Sequence, residues 1–336
     1  MGWAAPQMNR PSVVGAGSWG TAIALVLARR GLPVRLWVHN PDLAERISKT
    51  RMNEAYLPGF PLCDSIEICT NMHNCVQGAD TVTFAVPSHA LRQVAVSARG
   101  GLSPETLLIS ATKGLEEGTL SRMSEVLKES AGSDRIVVLS GPSFAREVAQ
   151  EQPTAIVVAS RDLRLALEVQ NLFSAARFRV YASQDVMGVE VGGAVKNVIA
   201  IAAGVCHGLD LGQNAIAALI TRGLAEMSRL AAAMGAQPQT LSGLAGLGDL
   251  VLTCTGELSR NRQVGIQLAA GQTLQQILHG MKTVAEGIKT TSSVVQLGIR
   301  EHVDLPISQQ MHAVLHGERS APDAIAILME RSLRGE

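Results

Sequence analysis

The sequence predicts an α/β fold class, a doubly wound sheet followed by an all-α second half, on three observations. Short apolar strand-like runs alternate with helical segments from residue 12 to residue 181. A Gly-x-Gly-x-x-Gly loop, Gly15 to Gly20, joins the first strand to the first helix. After Tyr181 no strand pattern recurs. At 336 residues the chain is long enough for two domains. The change of pattern divides it into 1–187, a nucleotide-binding sheet domain, and 188–336, a helical substrate-binding domain.

Residues 1–10 read as a loose tail; their apolar run is too short for a signal peptide and no basic segment precedes it. Ser12, Val13 and Val14 form a short buried strand, and a helix at 21–30 ends at Gly31 as its C-cap. Between them stand Gly15, Gly17, Ser18, Trp19 and Gly20. In this spacing the first glycine makes the turn, the second admits a pyrophosphate, and the third lets helix and strand pack closely. The N–H groups at the helix start then hold the phosphate. A second strand at 34–38 completes the unit, and the fold is of Rossmann type. The end of that strand commonly carries an acid for the ribose of NAD. Here it carries His39 and Asn40, and Asp42 after Pro41 reads as a helix-start residue. With no carboxylate to repel it a 2′-phosphate is accepted, with Arg35, His39 or Arg46 nearby. NADPH is therefore expected to be favoured, with NAD as the other cofactor.

Strands follow at 65–69 and 81–86 with a short helix between them, then a helix at 89–98. A strand at 106–111 leads into Thr112, Lys113 and Gly114, and a helix at 119–130 follows. The strand at 136–140 ends in Gly141, Pro142, Ser143, Phe144 and Ala145. Strands at 154–159 and 178–181 flank a helix at 162–174. Repeated units of this kind predict a parallel sheet covered on both faces. The loops at 15–20, 39, 87, 113 and 141–145 all follow strands and so share one rim, where such sheets bind ligands. Lys113 is the cation on that rim, and Gly141 and Ser143 offer close approach and a hydroxyl.

The second half is predicted as helices at 185–206, 214–235, 238–243, 246–254, 260–270, 273–280, 286–299, 306–316 and 321–333. The first is its centre. Between Glu190 and Asp210 its one strongly charged side chain is Lys196, among Val, Ile, Ala and Gly. A lone ammonium there is expensive to desolvate, and its pKa is expected to be pushed down. Gly192 and Gly193 share its face and let a backbone or a flat ligand approach. Asp249, an acid among small and apolar residues, is the expected partner that orients Lys196. Ser259 caps a helix whose first turn holds Arg260 and Asn261. Open N–H groups, a dipole end and a guanidinium fork suit a phosphate or a carboxylate.

Lys+Arg and Asp+Glu both number 29, which gives nucleic acid or an anionic membrane no support as partner. The apolar stretch at 191–206, broken by two glycines and Lys196, is read as too short to span a bilayer. Cys63, Cys69, Cys75, Cys206 and Cys254 lack Cys-x-x-Cys spacing and are read as reduced thiols of a cytoplasmic protein. His73, His207, His279, His302, His312 and His316 are read as ordinary surface or core residues, and no metal is expected.

Six blocks in order together resemble the NAD(P)-dependent glycerol-3-phosphate dehydrogenases, most closely the bacterial type. They are Gly-Ala-Gly-Ser-Trp-Gly-Thr-Ala (15–22), Ala-Thr-Lys-Gly-Leu-Glu (111–116), Ser-Gly-Pro-Ser-Phe-Ala (140–145), Gly-Gly-Ala-Val-Lys-Asn-Val-Ile-Ala (192–200), Gly-Leu-Gly-Asp-Leu-Val-Leu-Thr-Cys (246–254) and Ser-Arg-Asn-Arg (259–262). The resemblance covers essentially the whole chain. It implies a 6-phosphogluconate dehydrogenase C-terminal-like second domain, a homodimer, and interconversion of dihydroxyacetone phosphate and sn-glycerol 3-phosphate for glycerophospholipid synthesis. It implies Lys196 as proton donor and acceptor, with Lys113 touching cofactor and substrate. Gly141, Ser143, Asp249, Ser259, Arg260 and Asn261 would complete the substrate site. Ser18, Trp19, His39, Ala145, Val284 and Glu286 would bind the cofactor, with Arg260 touching it too. Two rivals remain at this point: another two-domain dehydrogenase acting on hydroxy acids, and a dinucleotide-sensing module without catalysis.

Overall fold

In a computed structural model, which describes residues 10–281 and 285–331, the chain forms two compact units. One runs to Lys113 and resumes over Ser121–Val189; the other takes Gly114–Leu120 and everything from Glu190 onward. The expected tail lies, but for Arg10, outside the described residues.

The first unit has strands β1 (Pro11–Val14), β2 (Val34–Trp37), β3 (Met52–Asn53), β4 (Leu57–Pro61), β5 (Ile66–Cys69), β6 (Thr81–Phe84), β7 (Leu107–Ser110), β8 (Ile136–Ser140), β9 (Thr154–Ala159) and β10 (Phe178–Ser183). Its helices are α1 (Ser18–Arg29), α2 (Pro41–Thr50), α3 (Met72–Val76), α4 (Leu91–Ala98), α5 (Met123–Ala131), α6 (Ala145–Ala149) and α7 (Leu163–Phe173). Eight strands form one sheet in the order β10-β9-β8-β7-β6-β1-β2-β5. Successive side chains leave a strand on opposite faces. Val13 and Ile109 accordingly join an apolar cluster with α1, α2 and α7, while Val14 and Leu108 join another with α3, α4 and α5. Covering both faces is what makes β6 and β7 buried along their whole length.

Three details depart from expectation. β9 runs antiparallel to β8, with Ser140 opposite Val157, so the sheet is not wholly parallel. A parallel return needs a crossover of a dozen or more residues. The link here, residues 141–153, meets that length, but its helix α6 has only 5 residues, too few to run back along the sheet. β3 and β4 form a small antiparallel hairpin that was not predicted, since Pro58 and Gly59 obscure a strand pattern. The helix expected at 119–130 begins at Met123, because Leu120 has a left-handed φ of 60° and Arg122 with Glu125 caps the start.

The second unit is helical: α8 (Val186–Gly208), α9 (Gly212–Ala233), α10 (Pro238–Ser242), α11 (Asp249–Thr255), α12 (Arg260–Ala269), α13 (Leu274–Gly280), α14 (Glu286–Arg300), α15 (Pro306–Leu315) and α16 (Ala321–Met329). The unit boundary falls inside α8, at Val189/Glu190. α8 has 23 residues, long and apolar enough to cross a membrane, so the expectation that it is too short is corrected. Its apolar window is wholly buried inside the protein, which makes it a core helix by packing, not by length. A wide π-type turn, Leu244–Gly248, precedes α11.

Candidate active site

In the first unit the glycine loop builds an anion cradle. Gly15 holds φ at 114°, and a Cβ there would stand 2.6 Å from the Ala85 carbonyl oxygen. A Cβ on Gly20 would meet the Gly15 carbonyl at 1.9 Å, so the start of α1 lies directly on the loop. Gly17 has open space beside it. No side chain caps α1 and no acid stands in its first turn. Trp19 Nε1 is buried without a partner among the described residues. Uncommitted N–H groups at a helix start and open room at the second glycine fit a dinucleotide pyrophosphate.

At the end of β2 the rings of Trp37 and His39 meet at 5.4 Å, and His39 is exposed. Asn40 caps α2, accepting the Leu43 N–H at 2.8 Å. Of the three cations expected nearby, Arg35 is committed elsewhere: its Nη1 donates to the carbonyls of Asn74 and Gln77, both at 2.8 Å. After β7 and β8, Lys113 Nζ donates to the Gly141 carbonyl at 3.0 Å, and Ser143 Oγ donates to the same oxygen at 3.0 Å. Lys113, Gly141 and Ser143 are thus one cluster, beside Ala145 at the start of α6. The strands before these loops, β1, β2, β6, β7 and β8, are mutually parallel, so their carboxyl ends share one rim.

In the second unit Lys196 is 5% exposed and Asp249 1%. Lys196 Nζ donates to Asp249 Oδ1 at 2.5 Å and to Thr253 Oγ1 at 2.7 Å. Thr253 Oγ1 donates in turn to the Asp249 carbonyl at 2.6 Å. The carboxylate offsets the desolvation of the ammonium, and the pair holds the amine in one position. α8 can come this close because a Cβ on Gly192 would stand 2.6 Å from the Ala245 carbonyl. The approaching group expected beside that glycine is therefore a backbone, that of the π-type turn. Cys254, next to Thr253, is no rival nucleophile: burial pushes its thiol up to about 12.

Ser259 caps α12, its Oγ accepting the Arg262 N–H at 3.2 Å. Asn261 Nδ2 donates to Asn197 Oδ1 at 2.9 Å, and Asn261 Oδ1 accepts the Gly287 N–H at 2.9 Å. That relay fixes the start of α12 between α8 and α14. Arg260 is an exposed residue, yet enough protein surrounds the guanidinium that burial lowers its pKa, opposed by the charge of Glu286. Arg260 and Glu286 are therefore neighbours. Val284 lies outside the described residues.

Sequence reasoning missed Thr253 and the clamp role of Asn197. Thr253 stands four residues after Asp249, one turn along the same helix face, and that spacing was the available signal. It also missed a pair: His312 and His316 are four apart and stack at 4.1 Å. His316 Nδ1 lies 2.8 Å from the His312 carbonyl, and among the described residues no group of three metal-binding side chains forms.

A glycine-rich phosphate cradle on a Rossmann-type sheet, with a buried lysine–aspartate pair on a helical unit, defines a two-unit dinucleotide-dependent dehydrogenase architecture. The comparisons make this particular. Residues 11–166 match the N-terminal model, and 185–326 the C-terminal model, of the NAD-dependent glycerol-3-phosphate dehydrogenases. A glycerol-3-phosphate dehydrogenase [NAD(P)+] from Syntrophotalea carbinolica is 51% identical over 96% of this chain and 98% of its own. One from Koribacter versatilis is 50% identical over the same shares. The crystal structure of the glycerol-3-phosphate dehydrogenase from Coxiella burnetii superposes with a TM-score of 0.93 at 39% identity, covering 97% of this chain and all of the other. The chain belongs to the NAD-dependent glycerol-3-phosphate dehydrogenase family.

Proposed function

We propose that this chain reduces dihydroxyacetone phosphate to sn-glycerol 3-phosphate, reversibly, and so supplies the backbone of glycerophospholipids. The observation that carries the reading is the buried Lys196 ammonium on Asp249 and Thr253. When bound, NAD(P)H would supply the hydride for the ketone carbon. As negative charge grows on the ketone oxygen, Lys196 Nζ delivers its proton there, giving the alcohol and a neutral amine. Asp249 and Thr253 hold Nζ in place through the transfer, and Lys196 regains a proton from solvent. Oxidation runs the same steps backwards.

Lys113, held on the Gly141 carbonyl with Ser143 beside it, is the cation that the first unit offers to the substrate. Arg260 and Asn261, at the capped start of α12, take the phosphate together with Ser259. Binding energy from that remote group fixes the ketone for reaction. Gly15, Gly17, Ser18, Trp19, Gly20, His39, Ala145, Val284 and Glu286 are the cofactor residues on this reading, with NADPH favoured over NADH. We further infer the working division 1–187 and 188–336, a homodimer and a cytoplasmic location, in keeping with the family resemblance.

The test is an initial-rate assay of reduced-cofactor absorbance with dihydroxyacetone phosphate, several keto acids, and NADPH or NADH. Turnover of the phosphorylated ketone well above the keto acids is expected. Preference for a keto acid would assign the chain to its nearest rival, and cofactor binding with no turnover would make it a sensing module.

A further inference from the structure

The first unit contains a cavity of about 190 Å³ that shares no residue with the site above. The buried Val26, Val148 and Phe178 give it an apolar floor, and the exposed Arg29, Arg30 and Arg177 are among its lining residues. α1 connects it to the glycine loop: the helix begins at Ser18 in the cradle and ends at Arg29. A helix of 12 residues spans about 18 Å, so the two places are well separated.

The charges around this cavity do not balance. Glu151 is the one acid in its lining, and it stands 3.9 Å from Arg29 Nε, the outer limit of an ion pair. Arg29 Nη2 donates to the Ala149 carbonyl at 2.8 Å. Arg30 places Nη1 on the carbonyls of Asn171 and Leu172, at the end of α7. Burial lowers its pKa and no acid opposes this. Capping of carbonyls accounts for the placement of Arg29 and Arg30. It does not account for Arg177, which has neither an ion pair nor a side-chain hydrogen bond among the described residues.

We propose that this cavity is a second anion site, for a small phosphate monoester whose short aliphatic group lies on Val26, Val148 and Phe178. Guanidinium forks match the several oxygens of a phosphate, and three arginines against one glutamate in the lining leave net positive charge for a dianion. The recessed apolar floor favours an ester over inorganic phosphate.

The experiment is calorimetric titration of the full chain with n-butyl phosphate, in an Arg260→Ala background that disables the phosphate contact proposed for catalysis. Binding is expected to persist there, to weaken at least tenfold when Arg177→Glu is added, and to return with Arg177→Lys. Arg177→Glu alone should leave kcat with dihydroxyacetone phosphate unchanged, which also serves as the folding control. Arg177→Gln is the milder variant, expected to weaken binding without reversing charge. Phosphatidylcholine vesicles containing phosphatidic acid present the same headgroup on a lipid. Arg177-dependent co-sedimentation would make a lipid the source, and butyl phosphate binding without it a free ester. No binding of either probe, or binding indifferent to both Arg177→Glu and Arg177→Gln, overturns the proposal.

Discussion

Lys196 is the residue on which the proposed chemistry depends, and its surroundings make a sharp test possible. The side chain is buried, with its charge held by Asp249 and Thr253. Lys196→Met keeps the length and the apolar stem while removing the proton and the charge. Turnover should fall by about 10²–10⁴, the usual loss on removing a positioned general acid, and more if the charge also steadies the oxyanion. Measured kcat in a folded variant that stays near normal would return Lys196 to a packing role. At the other end of the substrate, Arg260→Ala should forfeit about 1.5–3 kcal/mol of charged hydrogen bonding. That corresponds to a roughly ten- to hundredfold rise in KM for dihydroxyacetone phosphate, with little effect on unphosphorylated dihydroxyacetone. An unchanged KM would show that the phosphate lies elsewhere. Lys196 and Asp249 were legible because a charge among apolar residues needs a partner. Thr253 was not, because a threonine in an apolar helix looks like filler until the turn geometry aims its hydroxyl at the amine.

At the scale of elements, α8 and α12 touch backbone to backbone. A Cβ on Gly204 would stand 2.0 Å from the Arg262 carbonyl, and one on Gly265 the same distance from that of Ile201. Gly204→Ala must push α12 away, at a cost of about 1–3 kcal/mol or more for an overpacked contact. Because Arg260 and Asn261 begin α12, the melting temperature should drop and KM for the phosphorylated substrate should rise together; a lower Tm with unchanged KM would separate packing from function. A second junction joins α9 to α15. Glu226, buried, accepts the N–H groups of Ile307 and Ser308 and the Ser308 hydroxyl. Burial raises its pKa to about 7, with those donors and Arg229 opposing. The folded state therefore binds a proton that the unfolded chain releases near pH 4.5. This contribution is complete below that pH and is lost as pH rises through 7, about 3 kcal/mol in all. Urea unfolding of wild type and Glu226→Gln at pH 5 and pH 8 should show their stability difference moving toward the variant at the higher pH. A difference that does not change with pH would mean Glu226 does not titrate there. Most elements were readable from period and caps alone. The reversal of β9 was not, because an apolar run has no direction; only the short α6 before it limits the chain's return.

For the molecule as a whole, the proposed function divides the work between the two units, and the division is testable by which parameter each change moves. The cradle and the end of β2 belong to the first unit, while Lys196 and Asp249 belong to the second. Lys196→Met should thus leave NADPH affinity intact. A change at Asn40 should do the reverse, altering cofactor choice and sparing the chemical step. Asn40→Asp is suited to this because aspartate keeps the oxygen that caps α2 at Leu43. The new carboxylate stands where the adenosine ribose is expected, so it repels a 2′-phosphate and can accept from a 2′-hydroxyl. Two like charges a few ångströms apart at the surface oppose each other by a few kcal/mol before screening. The NADH-to-NADPH ratio of kcat/KM should therefore rise by at least about tenfold, roughly 1.4 kcal/mol, with kcat at saturating cofactor little changed. Arg35, tied to Asn74 and Gln77, is not at hand to neutralise the added charge, which leaves His39 and Arg46 as the cations to compensate. If Asn40→Asp and the wild type use the two cofactors in the same ratio, the 2′-phosphate does not sit at the end of β2, and the preference for NADPH inferred from the missing acid loses its basis.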